Sequence, residues 1–205
     1  MTISEKSLAL HKKLHGKIAT VSKVKKLTKA NLALLYTPGV AAVSSFLATH
    51  KNATRDYTIK RNSVAVISDG SAVLGLGNIG PEGALPVMEG KALLFKTLAG
   101  IDAVPIVLAT QNTEEIIQTI KNIAPGFGGI NLEDIAAPRC FEIESRLMAE
   151  LDIPVFHDDQ RGTAVVVLAG LINALKVVNK KIEQAHIVIN GVGAAGTAIA
   201  KLLHF

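Results

Sequence analysis

The sequence predicts an α/β protein: a largely parallel sheet with flanking helices, followed by the start of a Rossmann-type dinucleotide-binding domain. Three observations predict it. Short runs rich in valine and isoleucine recur at 63–67, 103–108, 129–132, 154–157 and 185–190. Segments of helical length and spacing stand between them. A glycine pattern, Gly191-Gly193-Gly196, directly follows the last run. Strands that alternate with helices assemble into a parallel sheet, because each parallel crossover needs a helix-length return.

The elements follow in order. Apolar residues at mixed three and four spacings predict helices over 4–14 and 28–35. Thr37-Pro38-Gly39 then breaks the chain, since proline fixes φ and lacks an N–H. A further helix is expected over 40–50, and a strand from Ser63 to Ile67, closed by Asp69-Gly70. A glycine-rich loop runs from Gly75 to Gly83. Helices are expected over 87–98, 114–122 and 138–150, with strands at 103–108, 129–132 and 154–157 between and after them. Thr163 to Val178 is rich in valine but too long for one buried strand, so it reads as a helix. The last strand, 185–190, leads through the glycines to a helix from Thr197.

The loop Asp158 to Gly162 separates two α/β stretches, which predicts residues 1–160 as one domain and 161–205 as the start of another. Nine residues follow Gly196, whereas a full dinucleotide domain needs about 100 more. A truncated chain is therefore expected, with the apolar face of helix Thr197 to Phe205 left without neighbours.

Composition narrows the function. Hydrophobic residues make up 49% of the chain, enough for a core. The longest apolar run is taken as Ala164 to Leu175, interrupted by Gly170 and Asn173 and short of the ~18 residues that span a bilayer. The amino terminus has no secretory h-region. A soluble, cytoplasmic protein is expected. The single cysteine, Cys140, excludes an intramolecular disulfide and a cysteine-cluster metal site; it reads as a small core residue rather than a nucleophile. The net charge is +5, yet residues 1–30 hold eight lysines and one acid, so the remainder is net −2. This basic arm has no arginine and no aromatic before Tyr36, which argues for a solvated helix face over a nucleic-acid or membrane partner.

The pattern G-x-G-x-x-G occurs twice, at Gly75-Gly77-Gly80 and Gly191-Gly193-Gly196. A phosphate loop needs a strand leading in and a helix leading out. The second copy meets both conditions, so Gly191, Val192, Gly193, Ala194, Ala195 and Gly196 are the candidate cofactor loop. Pro81 and Gly83 are expected to delay any helix after the first copy, which reads as a ligand-facing loop of another kind. Asp102 lies at the spacing of a ribose-binding acid but precedes its strand instead of ending it.

Two acidic pairs, Glu133-Asp134 and Asp158-Asp159, each follow a short apolar stretch. In a parallel sheet both would emerge at carboxyl ends of strands, where ligands bind. Adjacent carboxylates repel unless a cation or proton separates them. Oxygen ligands without cysteine suit Mg²⁺ or Mn²⁺, while Asp158 or Asp159 as a helix cap is the alternative. Lys91 lies on an apolar helix. Low dielectric would lower its pKa and make it a usable base, or it snorkels to solvent or pairs with an acid. Tyr36 is core or catalyst. His157 is a ligand or a packed histidine.

Taken together, several stretches resemble malic enzymes, the shorter bacterial form in particular. They are YTPGVA from Tyr36, SDGSAVLGLGNIGPEGALPVMEGKALLFKTLAGIDAVPI at 68–106, INLEDIAAPRCFEIE at 130–144, PVFHDDQRGTAVVVLAGLINAL at 154–175 and GVGAAGTAIAKLL at 191–203. The resemblance covers nearly the whole chain after about residue 30 and implies oxidative decarboxylation of malate to pyruvate, with a divalent metal and NAD or NADP. It implies Tyr36 as the acid that protonates the enol of pyruvate, Lys91 as the base for the malate hydroxyl, and Asp158 as the acid beside that lysine. Glu133, Asp134 and Asp159 would be the metal ligands, and 191–196 the cofactor phosphate loop. A homodimer is implied as well. Larger malic enzymes carry a substrate-binding arginine where this chain has Ala72, so carboxylate binding would use groups such as the backbone N–H around Ser71 and Asn78. Two alternatives remain: a non-catalytic metal-binding or dimerising fragment, and a related 2-oxoacid decarboxylase or malolactic activity at the same site.

Overall fold

A computed structural model describes residues 2–204. In chain order the helices and strands are α1 (Ile3–Leu14), α2 (Lys29–Leu35), α3 (Val40–Thr49), α4 (Thr54–Tyr57), β1 (Ser63–Ser68), α5 (Gly80–Ala99) and β2 (Asp102–Val107). Then come α6 (Thr113–Ile123), β3 (Gly129–Leu132), α7 (Arg139–Glu150), β4 (Val155–His157), α8 (Asp158–Val177) and α9 (Ala194–Leu203). The four strands form one parallel sheet in the order β2-β1-β3-β4.

The central strands β1 and β3 are covered on both faces, which is why they read as continuous apolar runs and not as alternation. On one side Ala65, Ile67, Ile130, Leu132 and Val155 pack with Ile116, Ile117 and Ile120 of α6 and with Cys140, Ile143 and Leu147 of α7. Side chains alternate along a strand, so Val66 faces the other side. There α5 lies against β1 and β2 and buries Ala84, Met88 and Ala92. Asn112 caps α6, accepting from the N–H groups of Glu114 and Glu115.

Four expectations are corrected. Helix α5 begins at Gly80, ahead of Pro81 and Gly83. Proline in the first turn loses no bond, because the N–H it lacks has no partner inside a helix. Residues 158–162 are no loop but the opening of α8, which runs unbroken from Asp158 to Val177. The strand expected at 185–190 does not form. A parallel strand needs a neighbour to bond with, and among the described residues none follows β4. Among the described residues one stretch, Lys29–Thr49, does meet the length and composition of a membrane span: it holds 21 residues, its most apolar 18 have mean hydropathy 1.5, and none is buried. Its helices α2 and α3 are separated at Tyr36–Gly39, where the Thr37–Pro38 bond is cis.

The lysine-rich amino-terminal helix α1 buries no residue, as expected of a solvated face, but it also exposes Ile3, Leu8, Leu10 and Leu14. Helix α9 starts at Ala194, three residues earlier than expected, and is described to Leu203. Phe205, placed in that helix by its sequence, lies outside the described residues.

Candidate active site

Both acidic pairs leave the carboxyl ends of neighbouring strands. Glu133 and Asp134 follow β3, while Asp158 and Asp159 follow β4 and open α8. Because β3 and β4 pair in parallel with Leu132 opposite His157, the two pairs are brought side by side. Glu133, Asp134 and Asp159 each offer a carboxylate oxygen, and these oxygens lie within 4.8 Å of one another. Asp134 sits at φ 54°, a left-handed conformation that aspartate tolerates better than most residues. Its N–H donates to Asp159 Oδ2 at 3.0 Å, and its carbonyl accepts from Ala72 N–H at 3.0 Å.

The donor set fits a hard divalent cation. Glu133 is 6% exposed and Asp134 5%, and Asp134 Oδ2 is buried with no hydrogen-bond partner. Burial pushes the Glu133 carboxyl up to about 7, although hydrogen bonds from Asn131 and Lys91 pull it down. Burial, and then the charge of Asp159, push Asp134 up to about 6. Carboxylates held this way are costly to ionise alone, and a cation relieves that cost. Neither Asp158 nor Asp159 serves as the cap of α8. The cap position is His157, and its side chain makes no capping bond.

Lys91 reaches this cluster from the middle of α5. Its Nζ lies 3.1 Å from Glu133 Oε1 and 2.6 Å from Asp158 Oδ2. The lowered pKa expected for Lys91 is not found. Burial pulls the ammonium down, but the hydrogen bond to Asp158 and the charge of Glu133 outweigh it, and the group lies above the ordinary lysine value. His157 is fully buried and its imidazole is pulled down by burial. Its Nε2 is 3.6 Å from Asp159 Oδ2, and its Nδ1 faces Gln160 at 3.2 Å.

The other predicted residues sit differently. Tyr36 follows α2 and is exposed; among the described residues its hydroxyl has no hydrogen-bond partner. Asn78 is exposed and exchanges amide hydrogen bonds with Gln111. Ser71 is buried, and both its N–H and its hydroxyl donate to Asp69 Oδ1. Its N–H is therefore committed, and its oxygen accepts from the Ala136 N–H at 2.9 Å.

Sequence reasoning missed two buried acids. Asp69, read only as part of a turn, is fully buried and accepts from Arg139 Nε and Nη2 at 3.2 and 3.0 Å. Glu144 is 3% exposed and holds the Arg161 guanidinium. The available signal was an acid within an otherwise apolar stretch, but a partner 70 or 17 positions away leaves no trace in spacing.

The glycine loop meets its pattern only in part: helix α9 leads out of it, but no strand leads in. Gly191 has φ +129°, Gly193 precedes α9, and a Cβ on Gly196 would stand 2.1 Å from the Gly191 carbonyl oxygen. A cavity of about 590 Å³ joins this loop to the acidic cluster, lined by Ala72, Ile135–Ala137, Asp159, 189–191, 193–196 and Ile199.

A parallel sheet with acids at its carboxyl edge, opening onto a glycine loop at a helix N-terminus, is the frame of an α/β enzyme of the dinucleotide-linked class. Residues 15–116 and 109–148 match the family model of the malic enzyme N-terminal domain, and 160–205 match that of the malic enzyme NAD binding domain. The chain belongs to the malic enzyme family.

It is 61% identical to the NAD-dependent malic enzyme of Geobacillus stearothermophilus over 203 residues, 99% of this chain and 42% of that protein. It is 56% identical to the bifunctional malic/malolactic enzyme of Bacillus subtilis, covering all of this chain and 50% of that one. The chain thus spans about half the length of the curated relatives it matches. The crystal structure of the NAD-dependent malic enzyme from Thermotoga maritima superposes with TM-score 0.94 at 58% identity, over 97% of this chain and 52% of that one.

Proposed function

We propose that this chain carries the malate site, and the first part of the cofactor site, of a metal-dependent malic enzyme that converts malate to pyruvate and CO₂ with hydride transfer to NAD or NADP. The convergence of Glu133, Asp134 and Asp159, with Lys91 in contact with Glu133, carries the reading. Residues 1–160 would form the catalytic domain and 161–205 the beginning of the cofactor domain. A Mg²⁺ or Mn²⁺ ion held by the three carboxylates would supply a Lewis acid for the malate hydroxyl and the carbonyl it becomes. NAD or NADP seated on residues 191–196 would accept the hydride.

This chain's own groups move the protons. Lys91, as the neutral amine, takes the proton of the malate 2-hydroxyl, and Asp158 at 2.6 Å is positioned to share it. Glu133 touches both the lysine and the cluster, so its charge state sets how readily Lys91 gives up its own proton. Tyr36 is the proposed proton donor to C3. The backbone N–H groups around Asn78 are proposed to bind a malate carboxylate, and Ser71 to contribute by fixing the Ala136 N–H end of the cavity. A soluble cytoplasmic homodimer goes with this reading.

Two measurements test it. Mn²⁺ titration of the protein, followed by electron paramagnetic resonance, should show one site that is lost in Asp159→Asn and Glu133→Gln; equal binding by these variants overturns the site. Malate with Mn²⁺ and either cofactor should then yield pyruvate and reduced cofactor. Lactate without reduced cofactor would point to a malolactic reaction. Mn²⁺ binding without turnover would support a binding or dimerising unit that does not catalyse alone, a reading motivated by the half-length coverage of its relatives.

A further inference from the structure

Helix α8 carries Asp158 and Asp159 in its first turn. The residue before it, His157, makes no side-chain cap bond. Gln160 meets His157 Nδ1 at 3.2 Å and Lys91 of α5 holds Asp158, and a further hold on both ends of the turn comes from α7. Glu144 accepts from the His157 N–H at 3.2 Å through Oε1. The same carboxylate accepts from Arg161 Nε at 3.2 and 3.3 Å and from Arg161 Nη2 at 3.2 Å. In a capping box, an acid within the helix accepts the N–H of the cap residue. Here an acid from a neighbouring helix does so, and it also grips the residue that closes the first turn. One buried carboxylate therefore brackets the two acids, at 157 on one side and 161 on the other. The fork geometry of the guanidinium suits this double grip, and a lysine would not reproduce it.

We infer that Glu144 and Arg161 are positioning residues that fix the first turn of α8, and with it the Asp159 carboxylate, against β3 and Asp134. The inference rests on the reading of Glu133, Asp134 and Asp159 as a cation site. Asp159 Oδ2 must stay 3.0 Å from the Asp134 N–H for the three carboxylates to converge. No other ion pair reaches Arg161 or Glu144 among the described residues. Arg161 itself is half exposed and touches none of the three carboxylates, so its effect on them passes through the helix turn.

The test compares Arg161→Ala, Arg161→Lys and Glu144→Gln with a core control, Ile143→Val, in the 205-residue protein. Two quantities are read: Mn²⁺ affinity, and hydrogen exchange of the Asp134 amide without metal, with thermal unfolding recorded for each variant. Arg161→Ala and Glu144→Gln should weaken Mn²⁺ binding about tenfold and speed Asp134 exchange. Arg161→Lys should fall between these and the wild type, and Ile143→Val should match the wild type in both readings. Wild-type affinity and Asp134 protection in Arg161→Ala and Glu144→Gln would overturn the inference. Equal losses in Ile143→Val would overturn it too, by showing a general effect of stability. If the wild type itself binds no Mn²⁺, the cation-site reading fails; Asp134 exchange then decides on the clamp alone.

Discussion

Lys91 Nζ and Asp158 Oδ2 meet at 2.6 Å, joining the middle of α5 to the first residue of α8 across 67 positions of sequence. A second contact, 3.1 Å to Glu133, makes the lysine a bridge between the two acidic pairs. If Lys91 acts on the substrate proton and not as structural glue, metal binding and chemistry must separate on its removal. Lys91→Met should retain Mn²⁺ binding at pH 8.5, where the cation itself favours the ionised Glu133, while malate turnover falls by about 10²–10⁴-fold. Parallel Mn²⁺ titrations and reduced-cofactor assays check this. Turnover within a few fold of wild type would remove Lys91 from the chemistry.

The raised carboxyls of Glu133, to about 7, and Asp134, to about 6, make both stability and metal binding depend on pH. Each folded value lies above the unfolded one, so the folded state binds more protons between roughly pH 4 and 7. Their contribution to stability is complete below the unfolded values and is lost as pH rises through 6 and 7. The metal-free protein should therefore melt a few degrees lower at pH 7.5 than at pH 5 from these groups. Metal binds the deprotonated forms, so Mn²⁺ affinity should run the opposite way. It should fall by up to about tenfold per pH unit below 7 and more steeply below 6. Calorimetric scans with and without Mn²⁺ across this range test both signs, and saturating Mn²⁺ should abolish the decline toward pH 7.5.

Much of this site was legible because its chemistry is written in adjacent letters. Glu133-Asp134 and Asp158-Asp159 end short apolar runs, and a parallel sheet must deliver such residues to one edge. The pKa of Lys91 was not legible in the same way. Its helix is apolar, but the two carboxylates that outweigh burial come from the loop after β3 and the start of α8. The failed strand at 185–190 has a similar origin: its valines and isoleucines state a propensity, while a ladder needs a partner. Gly80-Pro81 misled for a local reason, since the N–H that proline lacks would have no partner in the first turn, and α5 continues past Pro86 as well. The clamp of Glu144 on Arg161 was only half legible: Glu144 falls on the Cys140-Ile143-Leu147 face of α7, where an acid needs a partner, but nothing in the spacing names Arg161 as that partner.

Cys140 offers a check on the core. Its side chain is fully buried between α7 and the sheet, and burial pushes the thiol up to about 11. At pH 8 only about one molecule in a thousand would carry a thiolate, and that thiolate has no route to solvent. A disulfide reagent should leave the native protein unmodified for hours and titrate one thiol after denaturation. Cys140→Ala should unfold more easily by about 1–2 kcal/mol, and Cys140→Ser by more, since the hydroxyl adds an unsatisfied polar group. Rapid labelling of the native protein would contradict this packing.

The glycine loop distinguishes a ligand site from a mere turn through two substitutions with opposite structural costs. A Cβ on Gly196 would meet the Gly191 carbonyl oxygen at 2.1 Å, so Gly196→Ala must displace α9 from the loop. Around Gly193 nothing lies within 4 Å, so Gly193→Ala meets no clash and costs only the small difference between glycine and alanine at the cap of α9. If the loop only turned the chain, Gly193→Ala would be silent. If a pyrophosphate approaches the backbone there, the added methyl occupies the ligand's place. Gly193→Ala should therefore weaken binding of the reduced cofactor at least about tenfold with the melting temperature little changed, while Gly196→Ala should lower both. Cofactor fluorescence titrations alongside thermal scans separate the outcomes. Unaltered affinity in Gly193→Ala would mean that the phosphates, if they bind this chain at all, sit elsewhere in the 590 Å³ cavity.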